Sequence, residues 1–262
     1  VIDVSQYTKL YGDVVAVQSL SFHVAPGDVL GLVGPNGAGK TTTLRALAGI
    51  LQPTSGTISI AGVDLTKDPV AAKSQLAFIP DEPALFDYLT VTEHLRFCAR
   101  LYGVADAEPR IPALLEELEL TAKRDALPTE LSRGMKQKLA IACGLLHQPK
   151  ALLLDEPLTG LDPVGIRRMK ETIAARAREG TAVILSSHLL HLVEELCTRL
   201  LVIRKGAMVA FGTLGDIVAE RPELTGRSLE EIFIALTGDE SRDAAASEHA
   251  PAGPAPAAPT AA

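Results

Sequence analysis

The sequence predicts an α/β fold. A core sheet built round a phosphate-binding loop carries an N-terminal antiparallel β subdomain and an inserted α-helical subdomain. Three observations predict it. The first is the stretch 29–51, VLGLVGPNGAGKTTTLRALAGIL. It is a short apolar run, then a glycine-rich loop, then apolar residues at helical spacing. The second is the return of short apolar runs at 151–154 and 182–185, each followed by a helical pattern. The third is the region 88–149, where three helix patterns follow one another with no strand between them.

The elements follow in order. Alternation of Val15, Val17, Leu20, Phe22 and Val24 predicts antiparallel strands before the loop. Val29, Leu30, Leu32 and Val33 read as a buried strand, and Leu44, Leu47 and Leu51 as the apolar face of the helix after the loop. A turn at Pro53 to Gly56 precedes strands at 57–61 and 75–79. The second of these ends at the proline-bracketed pair Asp81 and Glu82. Thr90 and Glu93 form a capping box for a helix with Leu95, Cys98 and Leu101 or Tyr102 on its apolar side, closed by Gly103. Ile111, Leu114, Leu115 and Leu118 mark the next helix. Ser132 begins a third, with Met135, Leu139, Ala142 and Leu146 along one face. After the strand at 151–154, Asp162 caps a helix with Pro163 at its first position, and Gly180 ends it. The strand at 182–185 leads into a helix carrying Leu189, Leu192, Val193 and Leu196. A hairpin at 200–211 turns at Lys205 and Gly206, and Ser228 with Glu231 caps a last short helix. These patterns place a core in 1–87 and 150–237 and a helical insertion in 88–149. Residues 238–262 are Ala/Pro-rich, cannot bury a core, and are expected to be a disordered tail.

Composition narrows the function classes. The 262 residues carry a formal net charge of −7, so no nucleic-acid partner is expected, since phosphate backbones demand basic surface. The apolar stretch at 139–146 is far shorter than the roughly 18 residues of a membrane span. No signal-peptide pattern opens the chain at Val1. Cys98, Cys143 and Cys197 are isolated and far apart in sequence, which suits buried thiols in a reducing cytosol better than a disulfide or metal framework.

Three constellations carry chemistry. In Gly34, Pro35, Asn36, Gly37, Ala38, Gly39, Lys40, Thr41 and Thr42, the glycines let backbone N–H groups converge on phosphate oxygens without a clashing Cβ. The helix N-terminus adds unpaired donors and a positive dipole end. Lys40 supplies charge for the β- and γ-phosphates, and Thr41 a hydroxyl for Mg²⁺. The second constellation is LLLLDEP. An apolar strand ending in a carboxylate puts Asp155 at the sheet edge where such loops bind ligands. Asp155 then suits Mg²⁺, and Glu156 suits accepting a proton from attacking water. Alone, this run is equally a strand-end acidic turn; beside the loop it is a strong signal. The third is Leu131, Ser132, Arg133, Gly134, Met135. Ser132 is a good N-cap and Gly134 opens access to the helix start, a second anion site by the same physics, although alone it reads as an ordinary helix start. Tyr11 suits stacking on a flat base, but on its own it reads better as a strand-edge tyrosine.

In this order the motifs resemble the nucleotide-binding subunit of ATP-binding-cassette (ABC) transporters, over about residues 1–237. Residues 34–42 match Walker A, and 131–137 the LSGGQ signature. Ala151 to Asp155 with Glu156 match Walker B and its catalytic glutamate. The run from Thr159 through Gly160 and Leu161 to Asp162 matches the D-loop. His188 after Ser186 and Ser187 matches the switch histidine, and Tyr11 falls at the adenine-stacking position. The resemblance implies a P-loop NTPase (RecA-like) core and a subunit that binds and hydrolyses ATP with Mg²⁺. It implies a head-to-tail dimer, homo- or heterodimeric, and an integral membrane permease as partner, at the cytoplasmic face of the cell membrane. In that dimer Ser132 and Gly134 of one subunit, with Asp162, meet the nucleotide held by the other. Glu156 polarises water, and His188 senses the γ-phosphate. Thr41, Asp155 and Asp81 serve the metal.

Two features depart from the family pattern. Asp81 stands where the family usually has a glutamine that relays ATP binding to the helical subdomain. The signature reads SRGM in place of SGGQ. That variant favours an exporter, and Arg133 is expected to be a solvated side chain. Two other readings stay open: a soluble ABC ATPase driving macromolecular assembly, and a regulatory module that binds ATP without turnover.

Overall fold

The computed structural model describes residues 1–238; the expected tail lies outside them apart from Gly238. Strands β1 (Ile2–Tyr11) and β2 (Val14–Val24) form an antiparallel hairpin that turns at Gly12, whose φ is +58°. β3 (Val29–Val33) leads through the glycine loop into α1 (Lys40–Leu47). β4 (Ser55–Ile60), β5 (Val63–Asp64), α2 (Pro69–Ser74) and β6 (Leu76–Ile79) follow. Helices α3 (Val91–Leu101), α4 (Ala107–Glu117) and α5 (Arg133–Leu145) come next, then β7 (Ala151–Asp155). The chain continues through α6 (Pro163–Arg178), β8 (Ala182–Ser186) and α7 (Leu190–Leu196). It closes with the hairpin β9 (Arg199–Arg204) and β10 (Ala207–Gly212), then α8 (Leu214–Glu220) and α9 (Leu229–Thr237).

Two sheets result. One is antiparallel, in the order β2-β1-β4-β5; the other runs β10-β9-β3-β8-β7-β6, parallel except for the edge strand β10. β3, β7 and β8 are buried at every residue, as strands covered on both faces must be. Alternation decides which core each side chain joins. Leu30 and Leu32 of β3 pack with Tyr7, Leu20, Leu44 and Ile58 between the two sheets, whereas Val29 and Val33 face the helical side with Leu95, Leu139 and Val193.

The predicted capping boxes at Thr90/Glu93 and Ser228/Glu231 are both formed. Four expectations need correction. α1 stops before Leu51, because Gly49 at φ +65° donates to Ala46 while Ile50 donates to Arg45, the paired bonds of a Schellman end. Leu101 is exposed instead of joining the core, and Tyr102 stacks on His147 with ring centroids 3.8 Å apart. Val15 is also exposed, since the inward face of β2 begins at Val17. Cys98 of α3 and Cys143 of α5, distant in sequence, are not isolated in space: they line one groove and each shifts the other's thiol. α8 was legible and missed: Thr213 and Asp216 make a full capping box at its start.

Candidate nucleotide-binding site

The glycine loop is shaped by close backbone approach. A Cβ on Gly34 would lie 2.3 Å from the Ile203 carbonyl oxygen. Gly39 has φ +106°, and a Cβ there would lie 2.8 Å from the Ala16 carbonyl oxygen, so both positions require glycine. The Gly206 amide donates to the Ala38 carbonyl and the Gln18 amide to the Gly206 carbonyl, bracing the loop against the β9–β10 turn and β2. Because the first bond inside α1 runs from the Thr43 amide to Gly39, the amides of Gly39, Lys40, Thr41 and Thr42 have no acceptor within the helix. Lys40 curls back over the loop, its Nζ donating to Gly34 O at 2.6 Å and Pro35 O at 3.1 Å. Burial pulls its ammonium below the ordinary lysine range, and the charges of Glu156 and Asp155 partly offset this.

The carboxylates arrive from neighbouring strand ends. In register, Asp155 of β7 pairs with Ser186 of β8. Asp155 is only 6% exposed and accepts the Ser186 hydroxyl at 2.6 Å. Glu156 follows at φ +51°, a conformation that costs a non-glycine residue about 1–2 kcal/mol. Its amide donates to Ser186 Oγ at 3.1 Å and Ser186 O at 3.2 Å, which hold the turn. Its Oε2 meets the His188 amide at 3.3 Å and His188 Nδ1 at 2.9 Å. Ser186 thus positions both carboxylates. Its role was missed in the sequence, where it was only a neighbour of His188, because the β7–β8 register that sets it beside Asp155 is not written in local pattern.

A cavity of about 390 Å³ gathers Val14 to Ala16, Asn36 to Thr42, Asp81, Asp155 and Glu156. A larger hollow of about 550 Å³ beside α4 and α6 contains none of the motif residues. His188 reaches the site through Glu156. Other expected residues lie outside the cavity. Tyr11 ends β1 half-exposed, with Lys9 Nζ 5.2 Å from its ring centroid. Asp162 caps α6, its Oδ1 accepting from the Gly165 amide at 2.7 Å. Ser132 caps α5 by accepting from the Met135 amide at 3.3 Å. Gly134 has a packing reason to be glycine, because a Cβ would sit 3.1 Å from the Gly160 carbonyl oxygen. Arg133 is solvated as expected, its side chain 56% accessible, and it also pairs with Asp81, its Nη2 donating to Oδ1 at 3.0 Å.

The donor set in the cavity fits a nucleotide with Mg²⁺. The Thr41 hydroxyl, Asp155 and Asp81 are hard oxygen donors beside the amides at the start of α1. Among the described residues no three His, Cys, Asp or Glu side chains cluster to hold a metal alone. That suits an ion that retains waters and phosphate oxygens in its shell.

A protein-family model described as ABC transporter matches residues 17–159. The chain is 34% identical over 227 residues to the ABC-type transporter ATP-binding protein EcsA of Bacillus subtilis (strain 168), covering 86% of this chain and 92% of that one. The chain belongs to the ABC transporter family. As an ABC ATP-binding subunit, it is built to bind and hydrolyse ATP. It is 39% identical over 234 residues to the Nod factor export ATP-binding protein I of Paraburkholderia xenovorans (strain LB400), over 88% of this chain and 76% of that one. A solved ATP-binding subunit of an ABC transporter matches this ABC subunit with a TM-score of 0.86 at 36% identity, over 90% of this chain and 99% of that one. A dimeric ATP-binding cassette in a post-hydrolysis state, bound to ADP and Pi, matches at a TM-score of 0.75 and 21% identity, over 82% and 99%, and shares the fold.

Proposed function

We propose that two ATP-binding subunits face each other head to tail and that ATP hydrolysis between them powers export through a separate integral membrane permease. The observation that carries this reading is the division of the motif residues. The glycine loop, Lys40, Thr41, Asp155 and Glu156 share one cavity, whereas Ser132 and Gly134 stand outside it at the start of α5. A second subunit brings its own Ser132 and Gly134 over the nucleotide and completes the site.

In this mechanism, the loop amides and Lys40 bind the phosphates, with α1 directing its positive end at them. Thr41 and Asp155 would hold Mg²⁺, which when bound would supply charge neutralisation and polarise the phosphoryl oxygens; the Ser186 hydroxyl orients Asp155. Glu156 accepts the proton of the attacking water, and His188 fixes the direction of its carboxylate through Nδ1. Loss of the γ-phosphate then removes charge from the shared site and releases the pair.

The permease reading is supported by an apolar groove of about 300 Å³ between the segment after β6 and helices α3 and α5. Phe86, Phe97, Leu101 and Tyr102 line it, and all four are exposed. Among the described residues no helix is long and apolar enough to cross a membrane. We take 1–87 and 150–237 as the ATPase core with its β subdomain, 88–149 as the helical signature unit, and the cytoplasmic face of the membrane as the working location. Export follows the signature variant, and one relative carries export in its name. The test is purification of the tagged chain from detergent-solubilised membranes. An integral partner that stimulates phosphate release supports the reading; recovery with soluble assemblies alone overturns it.

A further inference from the structure

The stacked rings of Tyr102 and His147, 3.8 Å between centroids and 10° between planes, each sit just past the end of a helix, α3 and α5 respectively. Both rings are pinned. The Tyr102 amide donates to the Cys98 carbonyl at 2.9 Å, and His147 Nε2 lies 3.3 Å from the Leu76 carbonyl oxygen. Cys98 is four residues before Tyr102, and Cys143 is four before His147. Residues four apart lie on one helix face, one turn apart. The stack therefore sets the register of α3 against α5 and brings the two cysteines level with each other, one turn away. Both are half-buried, and both line the groove between these helices. α5 is held close against β6 at this level, because a Cβ on Gly144 would lie 2.8 Å from Ile79 Cδ1.

Two thiols on one groove have chemistry that a lone thiol lacks. Cys98 is the more acidic: Cys143 draws its thiol below the ordinary cysteine range against the effect of burial, and Cys143 is itself pushed up by Cys98 and by burial. Cys197 is the contrast. Its Sγ packs on β3, 3.0 Å from where a Cβ on Gly31 would sit, and burial alone raises its thiol. We propose that Cys98 and Cys143 form a reversible thiol–disulfide exchange site, with Cys98 as the attacking thiol, Cys143 as the resolving thiol and a small-molecule disulfide as the oxidant. The Cys98 thiolate attacks one sulfur of the small disulfide, whose S–S bond breaks; its other half leaves as a thiol, carrying the proton that Cys98 released. Cys143 then attacks the Cys98 sulfur and expels the second small thiol, to which its own proton passes. Two protein thiols are oxidised to one disulfide, and one small disulfide is reduced to two thiols. The new bond ties α3 to α5 across the groove, and excess small thiol reverses it. In a reducing compartment the pair rests as thiols, so the site responds to oxidation instead of bracing the fold. The inference stands on the two helices and does not depend on what occupies the groove.

Peptide mapping by mass spectrometry tests it. The reduced full chain is incubated with oxidised glutathione near pH 8, quenched with acid, alkylated with N-ethylmaleimide and mapped without reduction. The wild type should yield a peptide pair joined between Cys98 and Cys143, two hydrogens lighter than the separate peptides, while Cys197 is recovered alkylated. Dithiothreitol should undo the link. Cys143→Ala should instead trap one glutathione on Cys98, about tenfold or more faster than glutathione reaches Cys197. In Cys98→Ala, glutathione should reach Cys143 about tenfold or more slowly than it reaches Cys98 in Cys143→Ala. The wild-type map needs no variant, so a variant that fails to fold leaves the test standing. Glutathione that stays on wild-type Cys98 with no link to Cys143, links to Cys197 as frequent as the Cys98–Cys143 link, or Cys98 reacting no faster than Cys197 overturns the proposal.

Discussion

Replacing Glu156 with Gln separates catalysis from binding more cleanly than any other single change at this site. The glutamate occupies a left-handed backbone position held by two bonds from its amide to Ser186. Those bonds belong to the main chain and survive the substitution. Its Oε2 accepts the His188 amide and meets Nδ1, and the amide oxygen of Gln can still accept from the His188 N–H. Gln cannot take a proton from water. A general base contributes about 10²–10⁴ in rate, or about 2.7–5.4 kcal/mol of barrier. Phosphate release under single-turnover conditions should therefore fall by about a hundredfold or more. Nucleotide affinity should hold or improve, and the apparent Tm should move by less than about 3 °C. Turnover within about threefold of wild type would refute the base assignment. Parallel loss of affinity and turnover would make Glu156 a binding residue.

Ser186→Ala removes the 2.6 Å bond to Asp155 and one of two acceptors of the Glu156 amide; urea denaturation should show a loss of about 1–3 kcal/mol, with turnover falling too, and unchanged turnover would contradict the positioning role. The hydroxyl of Tyr7 is buried and has no hydrogen-bond partner among the described residues, and burial pushes its pKa above the ordinary tyrosine value, so Tyr7→Phe should be neutral or stabilising by about 1 kcal/mol; a clear loss would reveal a partner. Cys143 pulls the Cys98 thiol below the ordinary range, whereas burial pushes Cys197 up to about 12. A lower pKa means more thiolate at a given pH, so iodoacetamide near pH 8 should label Cys98 well before Cys197 by mass spectrometry; the reverse order would contradict this.

The nucleotide cavity was legible in the sequence because its residues sit at strand ends and helix starts, where local pattern dictates position. An apolar run ending in Asp155 can only put that carboxylate at the sheet edge, and a glycine loop before a helix can only present amides. What was not legible depends on register and on packing between distant segments. Ser186 acts on Asp155 because β7 and β8 align in one register, which no local pattern encodes. The Arg133–Asp81 and Cys98–Cys143 contacts arise from α5 packing beside β6 and α3. The end of α1 before Leu51 was a local signal overlooked: Gly49 sits where a helix terminates in a left-handed residue. At Asp162 and Gly134, capping and close packing supply structural reasons for residue types first read as nucleotide contacts.

The central claim is that the site is completed by a second subunit, and sedimentation of the Glu156→Gln chain with Mg²⁺ and ATP tests it most directly. The chain should double in mass when ATP is added. Adding Ser132→Asp, which keeps an N-cap oxygen for α5 but sets a negative charge against phosphate, should return it to a single subunit that still binds nucleotide. A chain that stays single with ATP, or a pair indifferent to the charge at Ser132, would contradict the account.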